Sequence, residues 1–241
     1  MRRLISLLTL VLLTAALSHA AGMEKARKVT FLTRDGKTLV ATFRKPAPGQ
    51  PVAVLLHGLE SSKEEWLPFT DALGKAGWGS FAYDARGHGA SDRDKKGIQA
   101  LGSPGPGSEW ERMVDDLGAA LRYLEKQGVA RSSAAVCGAS LGANVAARYA
   151  ASSSQLRAVV LLSPGLNYME LKPESDIIQI KTRTLIVASA EDKYAFASSL
   201  RLQNLAPADT LWTDVPPGHG VQMISPDFAT RLITWLNGPE K

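Results

Sequence analysis

The chain has 241 residues, of which 45% are hydrophobic and 21% are charged, and its formal net charge is +5. This length fits one domain or at most two small ones, and the composition excludes a disordered tail protein, a collagen-like chain and a multispan membrane protein. A single Cys excludes a disulfide framework and a Cys-rich zinc site. Because the Lys and Arg residues are scattered, with no basic block that could follow a phosphate backbone, we expect no nucleic-acid partner.

Residues 1–20 have the pattern of a secretory signal peptide. Arg2 and Arg3 form a positive start, and Leu4–Leu17 is an apolar stretch shorter than the ~20 residues that span a bilayer. Small residues precede a cleavage point that we place after Ala20, give or take a few residues. An uncleaved N-terminal anchor is the alternative.

Cleavage would leave residues 21–241 as one exported domain, periplasmic or secreted, without a stable membrane span. In such an oxidising compartment the single Cys137 has no partner within the chain, and we therefore expect it to be buried and reduced.

The mature chain alternates strand patterns with helix patterns. An Asp-Gly turn between two short segments predicts an N-terminal β-hairpin over Val29–Leu32 and Thr38–Phe43. Apolar runs predict further strands at Val52–Leu56, Trp78–Tyr83, Ser133–Cys137, Ala158–Leu162, Thr184–Ala188 and Thr210–Thr213. Helical spacing predicts helices at Lys63–Ala76, Glu109–Lys126, Leu141–Ala151 and Phe228–Leu236. This alternation predicts an α/β fold with a mostly parallel central sheet and helices on both of its faces.

A candidate nucleophile lies between one of these strands and the helix after it. Residues 138–142 read GASLG, which matches G-x-S-x-G in the strand–turn–helix context that this motif needs. The two glycines allow strand and helix to approach closely, and the sharp turn exposes the hydroxyl of Ser140. The N–H groups at the start of the helix can then stabilise an oxyanion. The alternative is a strand–helix crossing that merely uses small residues.

A serine nucleophile needs a base, and the chain has four histidines. His19 lies in the signal segment, His57 precedes Gly58 in a turn, and His88 lies in a tight loop. His219 combines a late position in the chain with a loop that could carry an imidazole over the serine, so it is the predicted base.

The base needs a carboxylate to orient it. Asp192 follows a predicted strand and gives the chain order Ser, Asp, His; its neighbour Glu191 fits that order equally well. Asp214 is a weaker rival because it lies close to the predicted base in sequence.

Five motifs in this order resemble the α/β-hydrolase superfamily over essentially all of the mature chain. They are LHGL at 56–59, DARGHGAS at 84–91, GASLG at 138–142, SAED at 189–192 and GHG at 218–220. The resemblance favours Asp192 over Glu191, and it implies that the backbone N–H groups of Leu59 and Leu141 form the oxyanion hole. It also implies that the segment at 84–91 is structural, and it implies no metal and no cofactor. One departure is Ser189, where relatives often have Gly.

The resemblance further implies a serine hydrolase, with a carboxylesterase acting on a small-molecule ester as the main expectation. The segment Ser163–Lys181 is too short for a large cap domain, so the chain resembles compact esterases and dienelactone-hydrolase-like proteins. An open site favours short to medium acyl chains, with Tyr168, Met169, Leu171 and Phe196 as candidates for an apolar wall. The alternatives are an exported non-catalytic binding protein on the same scaffold, or an acyltransferase, peptidase or thioesterase of this fold.

Overall fold

The protein is described here by a computed structural model, which describes residues 24–91, 96–205 and 210–238. The signal peptide predicted over residues 1–20 lies outside these ranges. Within them, every helix is too short or too polar to cross a membrane.

The described residues form one eight-stranded sheet, with the strand order β1-β2-β4-β3-β5-β6-β7-β8. Strands β1 and β2 pair antiparallel, as do β2 and β4, whereas all the remaining pairs are parallel. The predicted N-terminal hairpin and mostly parallel sheet are therefore confirmed. The strands are β1 (Arg27–Leu32), β2 (Thr38–Arg44), β3 (Val52–Leu56), β4 (Gly79–Tyr83), β5 (Ala134–Ala139), β6 (Ala158–Leu162), β7 (Thr184–Val187) and β8 (Thr210–Trp212).

Six α-helices lie between or after these strands in the described ranges. They are α1 (Leu67–Lys75), α2 (Met113–Lys126), α3 (Leu141–Ala151), α4 (Glu174–Ile177), α5 (Lys193–Leu205) and α6 (Pro226–Asn237), with short 3-10 turns between several of them. Strands β3 and β6 and helix α3 have the predicted bounds. The four residues of α4 are all the helix that the connection between β6 and β7 contains, which agrees with the absence of a large cap.

Two hydrophobic cores lie on opposite faces of the sheet. On strand β3, Val54 and Leu56 face the core that helices α2, α3 and α5 cover, while Ala53 and Leu55 face the core that α1 and α6 cover. All five residues of this strand are buried, as a continuous apolar run predicts for a strand covered on both faces.

The loop that follows β4 holds its neighbours through buried charges. Asp84 is fully buried and accepts hydrogen bonds from the Lys63 backbone N–H at 2.8 Å, the Lys63 Nζ at 2.7 Å and the Ala90 N–H at 2.9 Å. Arg86 is 1% exposed and donates to both carboxylate oxygens of Asp116 on helix α2. The charged groups of Asp84 and Arg86 are thus paired with groups inside the protein, which agrees with the structural role that the resemblance implies for this segment.

Candidate active site

Ser140 occupies the turn between strand β5 and helix α3. The backbone of Ser140 has a φ of 55° and a ψ of −120°, which are unusual for a residue with a side chain. Backbone strain of this kind costs on the order of 1–3 kcal/mol. The backbone N–H of Ser140 donates to the Leu162 carbonyl at 2.8 Å, which ties the turn to the end of β6. The side chain thus stands at the carboxyl edge of the parallel strands, where ligands bind in open α/β sheets.

The two glycines that flank this turn have no room for a side chain. A Cβ at Gly138 would lie 2.2 Å from the Gly142 carbonyl oxygen. A Cβ at Gly142 would lie 2.5 Å from the Leu56 carbonyl oxygen and 2.7 Å from that of His57. Since the obstructing atoms are backbone, the close approach of α3 to strands β3 and β5 requires glycine at both positions.

Asp192 and His219 meet although they are 27 residues apart. The Asp192 Oδ2 lies 2.6 Å from the His219 Nδ1, in the loops that follow β7 and β8. With its Nδ1–H donated to the carboxylate, the imidazole keeps Nε2 as the atom that can accept a proton. The rivals Glu191 and Asp214 are exposed, so the geometry favours Asp192 among the three carboxylates.

The loop that carries His219 packs against the turn at Ser140. A Cβ at Gly220 would lie 3.2 Å from the Ala139 Cβ and 4.0 Å from the Ser140 backbone nitrogen. The Gly220 N–H also donates to the Ser163 hydroxyl at 2.9 Å. The hydrogen bonds of the described residues include none between the Ser140 hydroxyl and His219.

The predicted oxyanion loop is held by two side chains that bind the backbone of one residue, Gly58. The His57 Nδ1 donates to the Gly58 carbonyl at 2.7 Å, and the Glu65 Oε1 accepts from the Gly58 N–H at 3.0 Å. The other Glu65 carboxylate oxygen pairs with the Ser61 hydroxyl. Since a carbonyl and the next N–H share one planar peptide, fixing the Gly58 carbonyl also fixes the direction of the Leu59 N–H.

The position of this loop is compatible with its predicted role. A Cβ at Gly58 would lie 3.3 Å from the Ser140 Cβ, so the loop lies directly beside the candidate nucleophile. Leu141 is the first residue of helix α3, where backbone N–H groups have no acceptor within the helix. The two predicted donors therefore come from segments that adjoin Ser140 on either side.

Glu65 is a residue of the site that sequence reasoning missed. Burial raises the pKa of its carboxyl, whereas the hydrogen bonds from Ser61 and Gly58 and the charge of His219 act in the opposite direction. It lies in a 3-10 turn whose sequence, KEEW, reads as the start of an ordinary amphipathic helix. No sequence signal distinguishes Glu65 from its neighbour Glu64.

Tyr168 belongs to the predicted apolar wall, but the sequence does not predict that its polar end lies beside Ser140. Burial raises the pKa of the Tyr168 phenol to about 12, and the Ser140 side chain beside it acts in the opposite direction. The sequence places Tyr168 in an apolar wall, and its ring does flank the site, but its polar end meets the candidate nucleophile. Of the other proposed wall residues, Leu171 is buried in the core, and Met169 and Phe196 are half-buried.

Comparison with known proteins gives one family and several similar folds. The model of the family described as "Serine aminopeptidase, S33" matches residues 47–205, a range that includes Ser140 and Asp192. An esterase from Pyrococcus furiosus is 20% identical, with a TM-score of 0.69, over 89% of this chain and 91% of that one.

Two further solved structures are as similar. A dienelactone hydrolase from Anabaena variabilis is 16% identical, with a TM-score of 0.69, over 88% of this chain and 95% of its own. A predicted CIB-like hydrolase from Thermoplasma acidophilum is 19% identical, with a TM-score of 0.69, over 89% and 99% of the two chains. At such identities these structures establish the α/β-hydrolase fold of the chain.

The buried His57 makes the stability of the fold depend on pH. Burial lowers its pKa from 6.5 to about 4. The hydrogen bond that Nε2 accepts from the Ala85 N–H requires the neutral ring, whereas the bond that Nδ1 donates to the Gly58 carbonyl does not. Below pH 6.5 the unfolded chain binds a proton on this ring, whereas the folded protein does not until about pH 4. The contribution of His57 to the free energy of unfolding is therefore present above pH 6.5 and is lost as the pH falls towards 4.

We expect this difference to show in urea unfolding of the wild type and His57→Gln at two pH values. The free-energy gap between the two proteins should shrink by about 2 kcal/mol between pH 7.5 and pH 5, because the variant lacks the titrating ring. All other groups titrate in both proteins, so the gap isolates His57. An equal gap at both pH values would show that the ring is not held neutral.

Proposed function

The chain belongs to the serine aminopeptidase S33 family of α/β-hydrolases, and from this membership we propose that it is a serine esterase with Ser140, His219 and Asp192 as its catalytic residues. The observation that carries the proposal is the 2.6 Å pair between Asp192 and His219, in a loop packed against the turn of Ser140. Serine, imidazole and carboxylate in this arrangement are the components of acyl transfer.

In the proposed reaction, the Ser140 hydroxyl attacks the carbonyl carbon of an ester while the His219 Nε2 takes its proton. Asp192 holds the imidazole in the tautomer that leaves Nε2 free, and it stabilises the imidazolium that forms. His219 then gives the proton to the leaving alcohol, and a water molecule, activated in the same way, releases the acid from the acyl-enzyme.

The oxyanion that develops in each half of the reaction needs donors that are already in place. The N–H groups of Leu59 and Leu141 are proposed for this role, because the first is oriented by the clamped Gly58 peptide and the second lies at the start of α3. Fixed donors stabilise the transition state without reorganising, and removal of one such donor costs about 10²- to 10³-fold in turnover.

The proposed catalytic residues can be tested with a fluorophosphonate probe and an ester assay. Ser140→Ala and His219→Ala should abolish labelling, and Ser140→Ala should lower turnover by on the order of 10⁴-fold or more. Asp192→Asn should lower turnover by about 10⁴-fold while the fold is kept, because the imidazole then loses the group that fixes its tautomer.

Glu191→Gln is the matched control, since Glu191 adjoins Asp192 but is exposed. It should retain wild-type turnover. Equal losses in the two variants would contradict the choice of Asp192. A folded wild type that neither labels nor hydrolyses esters would favour the non-catalytic binding protein, and cleavage of amino-acid anilides in preference to esters would favour a peptidase.

We propose short to medium acyl chains as the substrate range, because the connection between β6 and β7 contains only the four-residue helix α4. A long acyl chain gains affinity from an extended apolar cover, which so short a connection does not supply. Values of kcat/KM for butyrate and palmitate esters of one alcohol should therefore favour butyrate. A clear preference for palmitate would contradict this range.

We also propose that residues 1–20 export the protein to the periplasm or the medium. The support is the charged start and apolar stretch of this segment. After expression of the full chain in a Gram-negative host, mass spectrometry of the exported fraction should find a protein that begins near Ala21. Leu12→Arg, which interrupts the apolar stretch, should keep the protein in the cytoplasm. An intact N-terminus in the membrane fraction would instead indicate an uncleaved anchor.

A further inference from the structure

Tyr168 lies where two parts of the proposed active site meet. The Ser140 side chain lies close enough to the Tyr168 phenol to oppose the effect of burial on its pKa. Its ring stands perpendicular to the His219 imidazole, with ring centroids 6.5 Å apart and an interplanar angle of 89°. The phenol therefore borders the space between the attacking oxygen and the base.

The backbone around Tyr168 is fixed by a tight turn. Tyr168 and Leu171 form an isolated antiparallel bridge, with the Leu171 N–H donating to the Tyr168 carbonyl at 2.9 Å. The two residues between them, Met169 and Glu170, have φ values of 51° and 62°, which residues with side chains rarely adopt. Such strain persists where the surroundings determine the conformation, and it is concentrated at functional sites.

This turn is tied to the helix that begins after the candidate nucleophile. Asn144 of α3 is 1% exposed, and its Nδ2 donates to the carbonyls of Gly165 and Leu171, both at 2.8 Å. Its Oδ1 accepts from the Gly165 N–H at 3.2 Å. A buried side-chain amide with three backbone partners holds the loop in register with the turn at Ser140.

The ring of Tyr168 is also held from behind. A Cβ at Gly165 would lie 2.6 Å from the Tyr168 ring and 2.8 Å from the Tyr194 ring, so the absence of a side chain there admits both aromatics. Tyr194 packs edge-on against Tyr168, with centroids 5.7 Å apart, and its own hydroxyl bonds to the Asn167 backbone. The two phenols are therefore neighbours, Tyr168 in the loop after β6 and Tyr194 at the start of α5, and their hydroxyls face different groups.

We propose that Tyr168 is a further catalytic residue, whose hydroxyl donates a hydrogen bond to the leaving-group oxygen as the ester bond breaks. This inference rests on the proposed function. His219 can protonate the leaving oxygen only if that oxygen lies between the imidazole and Ser140, which is the space that the Tyr168 hydroxyl borders.

In the proposed step the Tyr168 phenol neither gains nor loses a proton. The bond between the carbonyl carbon and the leaving oxygen breaks, its electron pair goes to that oxygen, and the proton on His219 follows it. The phenol keeps its own proton, because burial raises its pKa to about 12 and so maintains it as a donor at working pH. In deacylation the attacking water takes the place of the leaving alcohol, and the same donor orients it.

The test compares two esters of one acid in the wild type, Tyr168→Phe and Tyr194→Phe. Tyr168→Phe keeps the ring and its packing and removes only the donor. It should lower kcat/KM for ethyl butyrate by about tenfold or more, the scale of a hydrogen bond to a developing charge. It should lower kcat/KM for 4-nitrophenyl butyrate much less, since nitrophenolate leaves without assistance. Tyr194→Phe should match the wild type on both esters.

Fluorophosphonate labelling separates failure of this inference from failure of the proposed function. Fluoride also leaves without assistance, so Tyr168→Phe should label at close to the wild-type rate. Equal losses on both esters would indicate that the phenol acts on the oxyanion or on Ser140 itself. Unchanged kinetics would indicate that the phenol takes no part in the reaction. Either result, with Ser140 still labelled, overturns the leaving-group role. A wild type that neither labels nor hydrolyses overturns the proposed function and this inference with it.

Discussion

The close approach of helix α3 to the ends of strands β3 and β5 is the constraint on which the rest of the site depends. Backbone atoms fill the places where side chains at Gly138 and Gly142 would lie, so the helix starts directly against the sheet. The chain between them must then turn sharply, which forces Ser140 into a left-handed conformation. The burial of the apolar faces of β5 and α3 offsets this strain, and the turn aims both the hydroxyl and the first helical N–H groups at one point.

Ser163 connects the sheet to the loop that carries His219. Its N–H donates to the Val187 carbonyl at 2.8 Å, and its hydroxyl accepts from the Gly220 N–H. It is fully buried, and its φ of 50° shows that it too is held in an unusual conformation. One residue at the end of β6 thus joins the end of β7 to the loop of His219, so the strand ends that hold Ser140 also hold Asp192 and His219.

The sequence predicts the fold better than it predicts the surroundings of the active site. Strands buried on both faces are continuous apolar runs, and β3 and β6 accordingly have the predicted bounds. The apolar pattern does not predict helix α5, because two of the four side chains on its buried face, Ser198 and Ser199, are small and polar. Helical periodicity is carried by large apolar residues, and a helix that packs through small ones leaves little trace of it.

The same difference applies to the functional residues. Motif and chain order lead to the prediction of Ser140 and His219, whereas the prediction of Asp192 over Glu191 rests on the resemblance. In the structure the Asp192 carboxylate contacts His219 and Glu191 is exposed. Glu65 and Tyr168 belong to no motif. Their contacts with Gly58 and Ser140 cross many residues of sequence, and only the folded chain brings such pairs together.

The position of Cys137 in the middle of the sheet determines how reactive its thiol is. It is fully buried on β5, next to Gly138, and burial raises its pKa to about 12. The thiolate is the form that alkylating reagents attack, so the native thiol is both shielded and chemically inert. The Cys137 side chain lies in the core that α1 and α6 cover, so its modification requires this core to open, and the rate of alkylation therefore reports how often that happens.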